Sequence, residues 1–307
     1  MENKGVNFLV MSASTVIRKN LSWSRLVNFA AVVRKGGISA ATGGDPSGVA
    51  LISRQIAELE SHFEVELTRR QGKGIAITAT GDQLARLIND FERGLDDLRA
   101  EVRSAPVAYS IAASSSALHW LLLPKLKAIA AALPAVKWTL HHEGTTAIGD
   151  KVVMGEVDFG LCIGTPSPAT LKRRFLGNVE YSVFVPVSLS AETDAATVLR
   201  DCPLALPIGG TLRESLNTWA AKQRTALNIR LEVDSYMQAA DTVMRGTHAA
   251  VLPSLAATSM PKHVRSLPLP PAVAQRRKLW LVWTDRLLRT RSAASGVRDA
   301  LVRALAM

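Results

Sequence analysis

The stretch that most constrains this chain runs from Gly44 to Gly81 and reads GDPSGVALISRQIAELESHFEVELTRRQGKGIAITATG. Asp45 can cap a helix because its carboxylate accepts backbone N–H groups, and Pro46 suits the first helical position. Apolar residues then recur at spacings of four, three and four residues, which predicts one buried stripe: Ile52, Ile56, Leu59 and Phe63.

The opposite face of this predicted helix carries short or forked hydrogen-bonding side chains, namely Ser47, Ser53, Arg54 and Gln55. Basic residues then cluster around a Gly72/Gly74 turn between two short β-like runs: Arg69, Arg70 and Lys73. A polar-faced helix followed by a basic β-ribbon is typical of a winged helix-turn-helix. Its helix enters the major groove of DNA and its wing contacts phosphate.

Each of these side chains also has a structural interpretation. Arg54 contacts either DNA or, as a surface ion pair, Glu58; Gln55 faces either DNA or the neighbouring helix. The basic hairpin either binds phosphate or is simply solvated, and Arg70 could instead support the fold. We expect Glu58 and Glu60 to face protein or solvent, because phosphate repels carboxylates.

The 307 residues suffice for two domains, and 48% hydrophobic with 21% charged residues predicts a globular protein. The formal charge of +11 favours a nucleic-acid partner. Residues 1–105 hold 14 Lys+Arg and 12 Asp+Glu, whereas residues 106–307 hold 23 and 14. The excess charge therefore lies outside the segment that we assign to DNA binding.

We expect a cytoplasmic protein with no membrane partner, because the sequence shows no signal-peptide core and no apolar run near the ~18 residues that span a bilayer. Cys162 and Cys202 lie in apolar surroundings without metal-ligand spacing, which favours reduced structural cysteines. His141, His142 and Glu143 alternate along a predicted strand, so we expect no shared metal ion. No cofactor motif is present.

A second amphipathic pattern follows the hairpin. Its apolar residues form a heptad seam, with spacings of four and three in alternation: Leu84, Ile88, Phe91, Leu95, Leu98 and Val102. The helix either packs on its own domain or forms a dimer, and we favour the dimer. Two-fold symmetry would place two recognition helices about one turn of DNA apart.

Beyond residue 105, predicted strands alternate with predicted helices in two similar halves, which indicates parallel sheets covered by helices. The predicted strands span residues 107–113, 136–141, 158–163, 203–207, 230–233, 249–252 and 278–283. We predict one continuous helix from Ala117 to Leu133. The basic runs at residues 172–174 and 276–278 are interpreted as solvated loops.

No GxSxG, HExxH, P-loop or GxGxxG pattern appears, so we expect no enzyme; an enzyme using Cys162 is the weaker alternative.

Several motifs, in this order, resemble those of the LysR-type transcriptional regulators: SRQIAELE, VELTRR, AITATG, LLLPKL, LPAVKWTL, GEVDFGLCIG and AAVLP. The resemblance implies an α/β protein with an N-terminal winged helix-turn-helix and a C-terminal domain like periplasmic binding proteins, made of two α/β subdomains. The implied boundaries are an extension at 1–20, a DNA-binding domain at 21–80, a linker helix at 81–105 and an effector-binding domain at 106–307. Its subdomains are 106–182 plus 268–307, and 183–267.

The resemblance assigns DNA contacts to Ser47, Val49, Ser53, Arg54, Arg69, Arg70 and Lys73, and dimer contacts to Leu84, Ile88, Phe91, Leu95 and Leu98. It implies promoter DNA as a partner and tetramers as the assembly. Gly48, Val49 and Ala50 stand where the family has a Gln, and Thr68 replaces a Phe. We therefore expect DNA shape and phosphate contacts to carry more of the affinity.

The resemblance also implies a small-molecule cleft at the strand ends, where helix N-termini direct backbone N–H groups inward. The matching positions are Ser114, Ser115, Ser116, Thr145, Thr146, Ile163, Gly164, Gly209, Gly210, Thr211 and Ser235. Hydroxyl groups at helix starts suit an anionic effector, although each one alone could merely cap its helix. The predicted function is an effector-responsive regulator of transcription. The alternative is a solute-binding sensory module with weak DNA binding.

Overall fold

The computed structural model describes residues 21–72 and 74–307. The predicted extension at residues 1–20 and the predicted phosphate contact Lys73 lie outside the described residues. The chain forms two compact units. One extends to Arg99 and includes Met154–Glu156, and the other comprises Ala100–Val153 and Val157–Met307.

The first unit is a set of helices with one hairpin. In chain order its elements are α1 (Trp23–Lys35), α2 (Ile38–Thr42), α3 (Pro46–Phe63), β1 (Thr68–Gln71), β2 (Gly74–Ile77) and α4 (Ala79–Val102). Gly43 and Gly44 make the turn into α3 with φ angles of 63° and 84°, a backbone region that glycine adopts without steric cost. This order of elements is that of the predicted winged helix-turn-helix.

The predicted cap and stripe of α3 are both confirmed. The Asp45 carboxylate accepts the backbone N–H groups of Ser47 at 3.4 Å and Gly48 at 2.8 Å. The stripe residues pack in the core that α3 shares with α1 and α4: Ile52, Ile56, Leu59 and Phe63. Full burial of one such side chain stabilises a fold by about 1.5–3 kcal/mol, so the stripe fixes which face of α3 remains exposed.

Two close contacts join α3 and α4 to the base of the wing. Glu60 accepts the backbone N–H groups of Leu67 at 2.9 Å and Thr68 at 2.8 Å, so it faces protein as predicted. Gly81, in the first turn of α4, approaches the Leu67 carbonyl so closely that a Cβ would lie 2.3 Å from its oxygen. Only glycine allows α4 to begin at this position.

The apolar seam of α4 divides into two parts. Leu84 and Ile88, both predicted as dimer contacts, instead pack in the core of the first unit. They face inward because α4 rests on α1 and α3 only along its N-terminal half. Farther along the helix Phe91 and Leu98 are exposed and Leu95 is half-buried. Leu87 and Val102, at 54% and 78% exposure, extend this uncovered stripe.

The second unit holds two five-stranded sheets. Its strands are β3 (Val107–Ala113), β4 (Val136–His142), β5 (Phe159–Ile163), β6 (Lys172–Val179), β7 (Tyr181–Pro186), β8 (Leu204–Pro207), β9 (Ile229–Val233), β10 (Ala249–Pro253), β11 (Val264–Pro268) and β12 (Arg277–Trp283).

The helices of the second unit fill the connections between these strands. They are α5 (Ser115–Ala117), α6 (Leu123–Ala132), α7 (Thr145–Val153), α8 (Ala195–Asp201), α9 (Thr211–Lys222), α10 (Tyr236–Met244), α11 (Asp285–Thr290) and α12 (Ala294–Leu305).

Each sheet defines one subdomain. The first subdomain has the strand order β4-β3-β5-β12-β6, and the second has the order β11-β7-β10-β8-β9. The parallel strands that the sequence predicts are confirmed: β3 pairs with β4 and β5, and β8 pairs with β9 and β10. β12 and β7 join their sheets antiparallel, because the chain crosses between the subdomains at these strands.

The structure corrects two of the predicted loops. Lys172–Arg174 begins β6, and Arg277 and Lys278 begin β12, so neither basic run is a solvated loop. The run in β6 lies on an edge strand and lacks the apolar alternation that identifies a half-buried strand. In β12, which lies between β5 and β6, the polar first residues precede the apolar run from which the strand was predicted. Three strands, β6, β7 and β11, were not predicted.

The predicted helix from Ala117 to Leu133 is interrupted by a π-helical segment, Leu118–Leu122, between α5 and α6. The extra residue per turn buries three consecutive side chains, Trp120, Leu121 and Leu122. Trp120 packs in an apolar cluster with residues of the second subdomain, including Phe184. The π-segment therefore joins the cores of the two subdomains.

A buried ion pair connects distant parts of the first subdomain. Arg291 Nη1 lies 2.8 Å from Asp158 Oδ1, and both side chains are only 3% exposed. Arg291 Nη2 also donates to the Ala108 carbonyl at 2.6 Å, and the guanidinium lies over the Tyr109 ring. Asp158 in turn accepts the backbone N–H and the hydroxyl of Ser110, each at 2.8 Å.

No helix within residues 21–72 and 74–307 combines the length and apolar character needed to cross a bilayer.

Candidate functional site

The exposed face of α3 carries the side chains that the sequence assigns to DNA. Ser47, Ser53 and Arg54 are exposed, whereas Val49 is half-buried. The Ser53 hydroxyl donates to the Val49 carbonyl at 2.8 Å, which directs it back along the helix. Leu51 is 44% exposed and adds an apolar side chain to this face. The face thus offers one long cationic side chain, Arg54, among small and apolar groups.

The neighbours of Arg54 and Gln55 show how these two side chains of α3 are held. Arg25 of α1 holds Glu58 at 3.0 Å, while Arg54 Nε lies 4.0 Å from the same carboxylate. The Arg54 side chain remains 73% exposed. Gln55 accepts a hydrogen bond from Asn28 Nδ2 at 2.8 Å, so it faces α1. The close partner of Glu58 is therefore Arg25, and Arg54 extends into solvent.

The wing is an antiparallel hairpin of two four-residue strands, in which Arg69 pairs with Ala76 and Arg70 pairs with Ile75. Both arginines are exposed, and as neighbours on a strand they point to opposite sides of the ribbon. Arg69 Nε lies 3.2 Å from Glu66 Oε2, an exposed pair that water screens strongly. The wing thus presents a cation on each side.

The first subdomain gathers a group of hydroxyls at the end of β3. Ser114 Oγ caps α5 by accepting the Ala117 backbone N–H at 3.4 Å, and it lies 3.2 Å from Ser116 Oγ. Ser116 is buried and Ser115 is half-buried. As a cap Ser114 still has its own hydrogen to donate, so these hydroxyls retain donors for a ligand oxygen.

Arg277 lies at the same end of the sheet as these hydroxyls, with β5 between β3 and its own strand. It begins β12, next to the end of β5, and its Nη2 donates to the Ile163 carbonyl at 3.3 Å. The backbone N–H of Gly164 donates to the Lys278 carbonyl at 2.8 Å. A half-buried guanidinium at parallel strand ends is a strong anion ligand. Sequence reasoning missed this residue because it placed Arg277 in a loop.

The charge of Arg277 also acts on one residue of the second subdomain, Tyr236. Ser235 caps α10 in a capping box with Gln238, and the next residue, Tyr236, has its ring centroid 5.9 Å from that of Tyr181. Burial raises the pKa of the Tyr236 phenol, the interaction with Tyr181 adds to the rise, and the positive charge of Arg277 opposes it. The guanidinium of one subdomain thus acts on the phenol of the other.

The remaining predicted effector positions lie at strand ends but are exposed: Thr145, Thr146, Gly209, Gly210 and Thr211. A concavity of about 560 Å³ borders the strand ends of the second subdomain near Ile208. Its charged lining is acidic, with Glu232, Asp234 and Asp241, so it would repel an anion. The Arg277 region is the better anion site.

Cys162 is buried inside β5, as predicted. Burial raises the pKa of its thiol to about 11, which keeps it in the unreactive neutral form. Cys202 is also a buried free cysteine. Within residues 21–72 and 74–307, no three His, Cys, Asp or Glu side chains group closely enough to hold a metal ion.

The model of the LysR substrate binding domain matches residues 108–306. A curated relative, the HTH-type transcriptional regulator YybE of Bacillus subtilis (strain 168), is 23% identical over 247 residues, which cover 76% of this chain and 83% of YybE.

Two solved structures share the fold. A full-length OxyR variant from Pseudomonas aeruginosa aligns with a TM-score of 0.63 and 15% identity, covering 93% of this chain and 95% of OxyR. Full-length CbnR in complex with its target DNA aligns with a TM-score of 0.55 and 20% identity, covering 91% of this chain and all of CbnR. Since the family model matches well over half of the sequence, the chain belongs to the LysR-type transcriptional regulators.

Proposed function

We propose that this LysR-type regulator reads promoter DNA by inserting α3 into the major groove while its wing contacts the phosphate backbone. The observation that carries the proposal is the exposed polar face of α3, opposite the buried stripe of Ile56 and Leu59. A helix fixed in this way on its own core presents a rigid surface to a groove about 12 Å wide. Ser47 and Ser53 lie on that surface as phosphate or groove contacts.

Arg54 is the side chain with the reach and the charge to contact a base edge. A guanidinium donates to two acceptors of guanine at once, and such a pair contributes about 1–3 kcal/mol of discrimination. The exposed arginines of the wing, Arg69 and Arg70, contact phosphate and carry no sequence information themselves. We place Lys73 of the turn in the same role.

We further propose that an anionic effector binds at the strand ends of the first subdomain, between Arg277 and the Ser114–Ser116 hydroxyls and facing Tyr236 of the second. The guanidinium would form charge-assisted hydrogen bonds with a carboxylate, and the hydroxyls would complete its coordination. Thr145, Thr146, Ile163, Gly164, Gly209, Thr211 and Ser235 would form the rim. Because Arg277 belongs to one subdomain and Tyr236 to the other, a ligand between them would favour one relative arrangement of the subdomains.

The exposed stripe on α4 suits a dimer of the chain. Leu87, Phe91, Leu98 and Val102 place large apolar surface in water, with Leu95 half-buried beside them. Two such helices pack together through apolar residues spaced as in a heptad. A dimer would present two recognition helices to a two-fold symmetric promoter site, and pairing of dimers would give the tetramer that the family resemblance implies.

The DNA proposal is tested by Arg54→Ala, with Arg99→Ala as the matched loss of an exposed arginine from another helix. Fluorescence anisotropy on the upstream DNA of the regulator's own gene should show roughly tenfold or greater weakening for Arg54→Ala. Binding to random DNA should weaken much less. Equal weakening on both DNAs would remove Arg54 from base readout, and equal effects of both variants would remove it from the interface.

The effector proposal is tested by a thermal-shift screen of small mono- and dicarboxylates. A ligand that raises the melting temperature of the wild-type protein should lose that effect in Arg277→Ala and keep it in Arg230→Ala, which removes an exposed arginine of β9. A carboxylate that stabilises Arg277→Ala as strongly as the wild type would place the site elsewhere.

A further inference from the structure

A separate pocket lies where β6, the C-terminal end of β12 and α12 meet. Its volume is about 490 Å³, and it is lined by four arginines and one aspartate around a buried tryptophan: Arg173, Arg174, Arg298, Arg303, Asp299 and Trp283. Arg173 and Arg174 belong to the basic run of β6 that the sequence pattern placed in a loop.

The pocket contains more positive charge than its own acid compensates. Arg298 forms an ion pair with the one carboxylate of the pocket, with Nη2 2.8 Å from Asp299 Oδ1. Arg174 and Arg303 form no ion pair with any carboxylate of the described residues. Like charges in one concavity repel, so the arrangement costs free energy in the absence of an anion.

The pocket is built on rigid elements. Trp283 is buried at the end of β12, and the Arg298 guanidinium lies over its ring, 5.5 Å from the centroid. On the edge strand, Arg173 lies over Trp280, 5.1 Å from the ring centroid, and so points to the face of the sheet opposite Arg174. The cations that converge on the pocket are therefore Arg174, Arg298 and Arg303. α12 is anchored by Val297 and Leu301 in the core. Strand and helix thus hold the cations in place before any ligand arrives.

The pocket is distinct from the proposed effector cleft. β12 runs from Arg277 at the cleft to Trp283 at the pocket, six residues farther along the strand. At about 3.3 Å per residue the two ends lie roughly 20 Å apart. One small molecule cannot occupy both sites.

We propose that this arginine pocket is a second ligand site, which binds a small polyanion carrying at least two phosphate or carboxylate groups. The planar fork of a guanidinium matches the oxygens of either group. The volume falls within the range of about 300–1,000 Å³ typical of small-ligand pockets. A single concavity with converging cations suits a compact polyanion better than the extended backbone of DNA. The site does not depend on the proposed DNA or effector contacts.

The test is isothermal titration of the full-length protein with inorganic tripolyphosphate, then with citrate, at constant ionic strength. The double variant Arg174→Ala/Arg303→Ala should bind the tighter of the two probes on the order of tenfold more weakly. The matched variant Arg230→Ala/Lys262→Ala also removes two exposed cations, but both lie in the second subdomain. It should bind the probe like the wild type. Equal melting temperatures would establish that all variants are folded.

Several results would overturn the proposal. Wild-type protein that binds neither probe would do so, as would equal weakening in the two double variants, which would indicate attraction to the net charge of +11 alone. Loss of probe binding in Arg277→Ala would move the site to the cleft. If neither probe binds but Arg174→Ala/Arg303→Ala weakens DNA binding, the surface belongs to DNA instead.

Discussion

Replacing Arg291 with methionine removes the cation from a buried ion pair while keeping an unbranched apolar stem. In the native protein the guanidinium pairs with Asp158 at 2.8 Å, donates to the Ala108 carbonyl at 2.6 Å and covers the Tyr109 ring with its centre 3.8 Å from the centroid. The variant leaves the Asp158 carboxylate buried, with the hydrogen bonds from Ser110 but without its cation.

We expect a large loss in the free energy of unfolding, because the remaining carboxylate charge is buried and not solvated. Both partners are 3% exposed, and breaking a buried pair on one side costs about 3–5 kcal/mol. Removing both charges, in Asp158→Asn/Arg291→Met, leaves no uncompensated ion. We therefore expect the double variant to be more stable than the sum of the single losses by about 1–3 kcal/mol.

Urea denaturation followed by tryptophan fluorescence would measure these free energies of unfolding. Five of the six tryptophans lie in the second unit, so the signal reports mainly on the domain that holds the pair. Arg245→Met is the control, because Arg245 pairs with Asp241 in an exposed position and its loss should leave the transition nearly unchanged.

A loss below about 1 kcal/mol for Arg291→Met would refute the reasoning, since it would show that water reaches the stranded carboxylate. Strictly additive losses would also refute it, because the two charges would then not be coupled.

Three further outcomes follow from the contacts. Gly81→Ala should lower the free energy of unfolding of the first unit by about 1–3 kcal/mol, since the new methyl group meets the Leu67 carbonyl oxygen; a thermal melt equal to that of the wild type would contradict this. Leu98→Glu should reduce the mass measured by light scattering, whereas an unchanged mass would exclude the α4 stripe as an interface. Cys162 should resist iodoacetamide at about pH 8 until the protein unfolds. Its raised pKa contributes stability that is complete below about pH 9 and lost as pH rises through about 11, so rapid native alkylation would be inconsistent with burial.

Local patterns predicted the DNA-binding unit well. The cap at Asp45, the stripe through Ile56 and Leu59 and the tight basic hairpin all depend on residues close in sequence, where spacing and turn chemistry decide the structure. The same reasoning could not predict which apolar residues of α4 are buried in their own domain and which are exposed. Whether Ile88 faces its own core or a partner depends on how far α1 and α3 extend beneath α4. The heptad spacing of α4 contains no information on that distance.

Contacts between distant residues were beyond sequence reasoning. Asp158 and Arg291 are separated by 133 positions, and neither residue alone indicates its partner. The basic runs of β6 and β12 were misplaced because their strand identity comes from pairing with each other and with β5 rather than from their own side chains. That error concealed Arg277, the cation of the proposed effector site.

The central claim, that this regulator recognises its promoter by sequence, is tested most directly by a gel-shift titration of the full-length protein. The probe would be its own upstream intergenic DNA, with random DNA of equal length as competitor, at several salt concentrations. The account predicts a complex that resists a large excess of random DNA and weakens steeply with salt. Competition by random DNA as effective as competition by the probe itself would contradict it, and would favour a sensory module that binds DNA without sequence preference.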